Sequence, residues 1–446
     1  MSVRRARLAA AVPANAIVRA ARRRVGGAFS QSVLSALAMQ TALLVSGPFV
    51  ARMLGPEDRG YLALLMLVPG ILWQAGSFGL PLGVTYGVAR RPGRRSRAVT
   101  RSVVPVIGLQ AACVTPIHVA ILWSVFNDTA DYVQVAAMFS AAVLPAILGQ
   151  EYALAILRGQ GLYRSFNLLR VLPLALYAVG ALLCFVSGVD SLETVAVVWV
   201  SAQSTASTLA IFTAYREARH GGHEDEAGVD LAGMIRFGLA SAVGSASPTE
   251  TFRIDQAVVG FLLTPAALGV YVVALAFTNL PRFFAQSLGF VIYPELAARE
   301  SYADARRAMW RYVGASTALC VVTIALLALS VSTLLPFFFG GEFKRAVGVS
   351  QLLLVGTVFF CARRLLTEAT RGLGHPSLGT FAELSAWILL PGALAVLLPR
   401  WGVEGVAVAL AVSSAGSLLV LVGLTMVASE ASATRPSARS ASAIGP

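Results

Sequence analysis

Residues 48–91 read PFVARMLGPEDRGYLALLMLVPGILWQAGSFGLPLGVTYGVARR, and the rest of the chain is organised around this stretch. An apolar segment ends at a Gly-Pro turn, a long apolar segment follows, and arginines close the stretch. Residues 257–300 repeat the plan as AVVGFLLTPAALGVYVVALAFTNLPRFFAQSLGFVIYPELAARE. Pro265 and Gly269 lie 209 residues after Pro56 and Gly60. This recurrence predicts two homologous halves.

Two further pairs of motifs keep nearly the same offset. The sequence RGQG at 158–161 lies 213 residues before RGLG at 371–374. GVDSLETVA at 188–196 lies about 211 residues before the glutamate-containing run WGVEGVA at 401–407. Because three pairs occur in one order at one spacing, duplication explains them better than chance.

The composition indicates a polytopic membrane protein. Hydrophobic residues make up 57% of the chain and charged residues only 13%. Apolar runs of about 20 residues, the length that crosses a bilayer, recur throughout. The net charge of +13 needs no nucleic acid, since basic residues gather in alternate loops. Four single cysteines in apolar segments indicate neither disulfides nor a metal site: Cys113, Cys184, Cys320 and Cys361.

We predict twelve spans, at approximately 31–52, 61–88, 102–126, 132–157, 165–187, 192–215, 237–263, 267–294, 312–338, 346–370, 377–398 and 403–427. Loop 89–101 holds six arginines, whereas loops 127–131 and 264–266 hold no lysine or arginine. The positive-inside rule therefore places both termini in the cytoplasm of a cell membrane, and six spans per half make the repeats parallel. The use of arginine in place of lysine favours a bacterial source.

These assignments divide the chain into a basic cytoplasmic arm (1–30), a six-helix lobe (31–215), a cytoplasmic linker (216–230), a second six-helix lobe (231–428) and a disordered cytoplasmic tail (429–446). His220 and His223 fall in the charged, glycine-containing linker, where a solvated loop is a better interpretation than a metal site. The single lysine, Lys344, lies outside any phosphate-binding loop. Because the external loops are also too short for a catalytic domain, we expect neither an enzyme nor a cofactor.

Ionisable groups in the middle of a span cost at least about 2.5 kcal/mol each and mark cavities by default. One face of the predicted seventh span carries a polar stripe, with Glu250 beside it and Pro248 at a kink: Ser245, Thr249, Arg253 and Gln256. The eighth span carries another stripe at i, i+3 and i+7: Asn279, Arg282 and Gln286. We predict that the two arginines line a cationic, water-filled cavity.

A structural alternative is an ion pair between Glu250 and Arg253, which are three residues apart on the predicted helix. Asp255 points away from Arg253 on such a helix. Gln40 and Gln74 are the matching polar positions of the first half and carry no charge. We therefore expect the second half to hold an anion.

Charged residues also gather at the predicted cytoplasmic end of the tenth span: Arg363, Arg364, Glu368 and Arg371. Glu151 occupies the position equivalent to Arg364, each of them seven residues before an RGxG sequence. This pattern predicts an interfacial ion-pair network, with a cytoplasmic gate as the functional interpretation. His118, alone in the third span, is predicted to be a packed neutral histidine.

Five motifs together resemble the polysaccharide-transport proteins, the O-antigen and lipid-linked oligosaccharide flippases: ARMLGPEDRGYLAL at 51–64, LGVYVVA at 268–274, FFGGEFKRA at 338–346, RGLGHPSLGTF at 371–381 and WGVEGVAVALAVS at 401–413. The resemblance covers about 31–427. It implies the multidrug/oligosaccharidyl-lipid/polysaccharide exporter fold, with two six-helix lobes around a V-shaped cavity. The first two helices of each lobe line that cavity in the family, and here they carry Gln40, Gln74, Arg253 and Arg282.

The resemblance also implies transport of a polyprenyl-diphosphate-linked glycan precursor from the inner to the outer leaflet by alternating access. The expected partners are that substrate, membrane lipids, and a glycan polymerase or glycosyltransferases of the same pathway. Two rival functions remain open. An ion-coupled multidrug exporter of the same fold would use cavity acids, with Asp255 and Glu250 as candidates. A non-transporting scaffold of a glycan assembly complex would need no cavity charge.

The alternation of basic and non-basic loops makes the topology testable. Single cysteines placed in loops 127–131 and 264–266 of a cysteine-free variant should react with an impermeant thiol reagent added to intact cells. A cysteine in loop 89–101 should react only after the cells are opened, because an arginine-rich loop stays in the cytoplasm. Labelling of loop 89–101 in intact cells would contradict the topology.

Overall fold

The structure is a computed structural model that describes residues 14–90, 96–220 and 230–433. All regular structure in this part of the chain is helical: α1 (Ala14–Gly76), α2 (Leu80–Ala89), α3 (Ser96–Phe126), α4 (Asp131–Ser140), α5 (Val143–Gly159), α6 (Tyr163–Val186), α7 (Leu192–His220), α8 (Leu231–Ser245), α9 (Ile254–Leu262), α10 (Pro265–Ala276), α11 (Asn279–Ala297), α12 (Tyr302–Phe339), a 3₁₀ helix (Gly341–Arg345), α13 (Ala346–Gly372) and α14 (Pro376–Ala433).

Two of these helices consist of two arms each, because one glycine in each has non-helical dihedral angles. Gly55 divides α1 with φ 67° and ψ −178°, and Gly402 divides α14 with φ 53° and ψ −125°. At about 1.5 Å per residue, an unbroken α1 would be roughly three times as long as the hydrocarbon core is thick. Counted from Ser30, where the apolar stretch of α1 begins, each arm of the two helices is long enough for one crossing.

The protein is an all-helical, multi-pass membrane protein. Within the described residues, eight helices are long and apolar enough to cross a membrane, or nine when α10 and α11, bent by 45°, count as one span. Dividing α1 and α14 at their glycines, and joining α8 to α9, makes the structure consistent with twelve spans. Large apolar side chains face outward, as a lipid-embedded surface requires; Leu329 and Ile388 are 80% and 77% exposed.

Turns recur at equivalent places in the two halves. Gly161 (φ 75°) and Gly374 (φ 85°) end the two RGxG sequences with left-handed backbone. Gly188 (φ 69°) and Gly402 (φ 53°) also have positive φ angles, at the beginning of the GVDSLETVA and WGVEGVA motifs. Glycine is the residue that adopts such angles without a steric penalty. The recurrence supports two repeats with one helix order.

The two halves cross where the repeated motifs meet. A Cβ atom added to Gly60 would lie 1.7 Å from the carbonyl oxygen of Pro265. Reciprocally, a Cβ atom added to Gly269 would lie 1.9 Å from the carbonyl oxygen of Pro56. Each glycine therefore leaves room for the backbone of the other half, at the residue where the repeated helix of that half begins. We call this contact the glycine crossing, and the end of the bundle that holds it the motif end.

A continuous core surrounds the glycine crossing. Its buried residues come from both halves, among them Leu65, Val259, Tyr271 and Val331. The opposite end of the bundle, near Arg90, Arg158, Arg299 and Arg371, is the arginine-rich end. Toward that end α2 packs closely on α8, since added Cβ atoms at Gly79 and Gly83 would meet the carbonyl oxygens of Gly238 and Met234 at 2.4 and 2.1 Å.

Some segment and helix boundaries in the structure differ from those predicted from the sequence. The predicted basic arm is helical from Ala14 onward, because α1 continues through it, and residues 1–13 lie outside the described part. The helix α14 runs five residues into the predicted disordered tail, to Ala433. His220 ends α7, whereas His223 lies outside the described residues. The seventh span is not one helix: it is broken at 246–253.

The glycine crossing predicts a specific intolerance. Gly60→Ala should destabilise the protein by about 1–3 kcal/mol or more, because its methyl group would overlap the backbone at Pro265. Gly70→Ala is the matched control in the same arm of α1, since an added Cβ atom there meets nothing within 4 Å. Thermal unfolding in detergent should show a lower midpoint for Gly60→Ala and an unchanged or higher midpoint for Gly70→Ala. Equal midpoints would contradict the crossing.

Candidate functional site

The break between α8 and α9 has an identifiable local cause. Pro248 has no N–H group and cannot continue the helical hydrogen bonding. The hydroxyl of Ser247 accepts from the Glu250 N–H at 3.3 Å, and the hydroxyl of Thr251 accepts from the Ser247 N–H at 3.0 Å. These side chains compete with the helix for backbone groups. The predicted stripe at Ser245, Thr249, Arg253 and Gln256 is therefore wrong, because residues 246–253 are not helical.

Arg253 is held in an unusual conformation at the end of this break. Its φ of 47° and ψ of 43° lie in the left-handed region, which costs a non-glycine residue about 1–2 kcal/mol. The side chain is exposed and forms no hydrogen bond or ion pair with any described residue. Since α9 has nine residues, Arg253 lies roughly 14 Å from the motif end of that helix. This distance is about half the thickness of a hydrocarbon core, so we expect this strained cation, unpaired among the described residues, near mid-membrane depth.

Arg282 lies on α11 with Asn279 and Gln286, so the predicted stripe on the eighth span does share one helix. Asn279 and Gln286 are exposed, whereas Arg282 is half-buried. Its guanidinium carbon lies 4.5 Å from the ring centroid of Phe360 on α13, and its Nε is buried without a hydrogen bond. The Arg282 guanidinium is therefore held by an aromatic face and keeps unused donors.

Asp255 is the buried acid of this region. One carboxylate oxygen accepts a hydrogen bond from the Tyr271 hydroxyl at 2.7 Å, and the other is buried without a partner. Arg282 is an electrostatic neighbour but lies beyond ion-pair distance. Sequence reasoning missed Tyr271 as the partner of Asp255. The signal was present, since Tyr271 belongs to the repeated motif whose helix α10 follows α9 directly.

A chain of ion pairs connects the break to the arginine-rich end of α13. Glu250 pairs with Arg364 at 3.2 Å, which excludes the predicted structural pair between Glu250 and Arg253. Glu368 lies 4.0 Å from Arg364 and 2.9 Å from Arg371. These four residues form what we call the α13 network. Most of their side chains are partly exposed, where an isolated pair contributes little to stability.

The remaining residues predicted for the gate lie elsewhere. Arg363 points to the other side of α13 and pairs with Glu383 of α14. Glu151 lies on α5 in the first half, with Arg170 as its electrostatic neighbour.

Gln40 and Gln74 are partly exposed on the two arms of α1, and neither side chain has a hydrogen-bond partner among the described residues. The charged residues of the break, of α11 and of the α13 network all lie in the second half.

The strain at Arg253 can be separated from its charge. Arg253→Gly and Arg253→Ala both remove the guanidinium, but only glycine adopts a left-handed backbone freely. Arg253→Gly should therefore unfold at a higher temperature than Arg253→Ala, by an amount equivalent to about 1 kcal/mol. Thermal unfolding of both purified variants measures the difference. If Arg253→Ala is as stable as Arg253→Gly, the backbone at this position is not strained.

With this geometry in place, the chain can be compared with known proteins. It is 22% identical over 383 residues to a probable low-salt glycan biosynthesis flippase of Haloferax volcanii, covering 82% of this chain and 76% of that protein. The fold matches that of a multidrug resistance MATE family transporter in an inward-facing conformation, with a TM-score of 0.71, 16% identity and coverage of 89% of this chain and 96% of that one. It also matches the lipid II flippase MurJ, with a TM-score of 0.66, 12% identity and coverage of 89% and 87%.

The structural matches are too distant in sequence to indicate more than the fold. The match to a family sequence profile is more direct, since it spans residues 49–348, from the end of the first arm of α1 to the beginning of α13. That range includes the glycine crossing, the break and the stripe on α11. The chain belongs to the polysaccharide biosynthesis protein family.

Proposed function

We propose that the chain is a membrane flippase that moves a polyprenyl-diphosphate-linked oligosaccharide or polysaccharide precursor from the inner to the outer leaflet. The observation that carries this proposal is Arg253: an exposed, unpaired guanidinium on a strained backbone near mid-membrane depth. Strain of this kind persists where function needs it. The glycan flippase name of the archaeal relative supports the same substrate class.

The substrate's chemistry fits the side chains present. A diphosphate with attached sugars cannot cross hydrocarbon unaided, and planar guanidinium groups bind phosphate oxygens in two-pronged fashion. Arg253 and Arg282 would bind the diphosphate. Four exposed or partly exposed polar side chains would contact the sugars: Asn279, Gln286, Gln40 and Gln74. The lipid tail would remain in the bilayer while the head group passes.

The α13 network would act as the gate at the arginine-rich end, which we assign to the cytoplasm together with both termini. Its pairs are partly exposed and individually weak, so they can break and reform as the halves rock about the glycine crossing. Arg363 and Glu151 would support each half from within, outside this gate. A glycan polymerase or glycosyltransferases of the same pathway would be the protein partners. We propose no enzymatic activity.

Asp255 is the candidate for ion coupling, because one of its buried carboxylate oxygens has no partner. A buried carboxylate of this kind would take up a proton or a small cation to relieve its charge. Glu250 is a weaker candidate, since its charge is already paired with Arg364. The same two acids would serve an ion-coupled drug exporter. The excess of arginine at the candidate site favours an anionic substrate over an organic cation.

Flipping of a labelled lipid-linked oligosaccharide in proteoliposomes tests the proposal. Arg253→Ala and Arg282→Ala should each slow flipping at least tenfold, and Arg→Lys should also be damaging because an ammonium loses the planar contact. Arg164→Ala is the matched control, since Arg164 is an exposed arginine at the beginning of α6 and is not one of the proposed site residues. Equal reconstitution and expression of all variants must be verified.

Three outcomes would contradict the proposal. If both arginine-to-alanine variants flip the substrate at the wild-type rate, the anion-binding role fails. If Glu250→Gln or Asp255→Asn abolishes efflux of a cationic dye while lipid flipping is never detected, the drug-exporter function is correct. A scaffold without transport would show no flipping with the wild-type protein under any ion gradient.

A further inference from the structure

The first half contains a small cavity that Arg253 and Arg282 do not line. It has a volume of about 150 Å³ and lies between the two arms of α1 and the helices α6 and α7. Its walls are mostly apolar, from residues such as Val50 and Met66. The polar groups that reach it belong to Ser46, Arg59, Tyr177 and Gln203.

Arg59 is the only cation lining this cavity, and its charge is not compensated. Its Nε is buried without a hydrogen bond, and the guanidinium pairs with no carboxylate among the described residues. The neighbouring acids face elsewhere: Glu57 is exposed, and Asp58 accepts a hydrogen bond from the Tyr132 hydroxyl at 3.0 Å. Tyr177, on α6, is the electrostatic neighbour of the Arg59 guanidinium. An isolated charge against a mostly apolar wall is costly unless a counterion offsets it.

Two other donors at the cavity are also unused. The hydroxyls of Ser46 and Tyr177 form no hydrogen bond with the described residues, although Ser46 is buried. The amide of Gln203 is by contrast already engaged, since it donates to Gln150 on α5 and to Ser207 on α7. Three unused donors, one of them cationic, therefore reach a single cavity that no carboxylate lines.

The repeat shows that this arrangement is particular to the first half. The position equivalent to Arg59, 209 residues later, is Leu268, which is fully buried. The position equivalent to Ser46 is Asp255, the buried acid of the second half. The two halves thus place opposite charges in equivalent interiors. A cation was not needed to build the fold at this position, because leucine fills the equivalent space.

From this geometry we propose that the cavity binds a small inorganic anion, held by the Arg59 guanidinium and the hydroxyls of Ser46 and Tyr177. Its volume suits a few water molecules, at about 30 Å³ each, or a single chloride or phosphate ion. It is too small for a diphosphate carrying sugars. Guanidinium and hydroxyl groups are the donors that bind such anions. The proposal does not depend on the identity of the transported substrate.

Thermal unfolding of the purified protein at constant ionic strength tests it, with sodium gluconate replaced stepwise by sodium chloride or, in a separate series, by sodium phosphate. The wild-type midpoint should rise and saturate in at least one series, because a ligand that binds the folded state stabilises it. Arg59→Gln should lose that rise. Arg59→Lys should keep it at a higher anion concentration, and the exposed-arginine control Arg164→Gln should match the wild type.

The comparison in gluconate separates anion binding from a merely structural role. Without the anion, Arg59→Gln should unfold at or above the wild-type midpoint, since the variant no longer holds an unpaired charge against a mostly apolar cavity. A response to chloride alone or to phosphate alone identifies the anion. The proposal is overturned if the wild type responds to neither anion, or if Arg59→Gln responds as the wild type does.

Discussion

The contact on which the rest of the structure depends is the glycine crossing, where Gly60 and Gly269 each admit the backbone of the opposite half. No side chain larger than hydrogen fits at either position without moving a proline carbonyl. The crossing fixes the distance between the halves at the motif end, and the largest buried core forms around it. The contact is reciprocal, because each half offers a glycine to the backbone of the other half at equivalent positions of the repeat.

The two halves differ in the charged residues that they carry. The second half carries a broken helix with a left-handed Arg253, an arginine against Phe360, and a buried aspartate. The first half presents uncharged glutamines on α1, and its half-buried cation, Arg59, lines a small cavity. Duplication thus supplies the scaffold, and divergence of single residues within equivalent helices supplies the chemistry.

The sequence predicted the scaffold better than it predicted the site, for physical reasons. Repeats and apolar runs are local patterns, so the membrane class and the helical halves followed from residue spacing alone. The break at 246–253 was missed because Pro248 predicts only a kink, whereas the hydroxyls of Ser247 and Thr251 unwind the helix by bonding to its backbone.

Ion pairs between residues far apart in sequence could not be predicted, because they depend on how the helices pack. Arg363 and Arg364 are adjacent in sequence yet pair with α14 and with the break, on opposite sides of α13. Glu250 was expected beside Arg253 and instead reaches Arg364. Arg59 is unpaired because the acids next to it in sequence, Glu57 and Asp58, face elsewhere, and no other described carboxylate lies within ion-pair distance; no local pattern records this.

The central claim is that the candidate site selects an anionic, diphosphate-bearing lipid. Its most direct test is equilibrium binding of a labelled polyprenyl-diphosphate oligosaccharide to the purified protein, in competition with the matching monophosphate lipid and with a cationic dye. The account predicts that unlabelled diphosphate lipid competes at least tenfold better than the monophosphate, that salt weakens binding, and that the dye does not compete. Displacement by the dye, or equal competition by a lipid alcohol without phosphate, would contradict it.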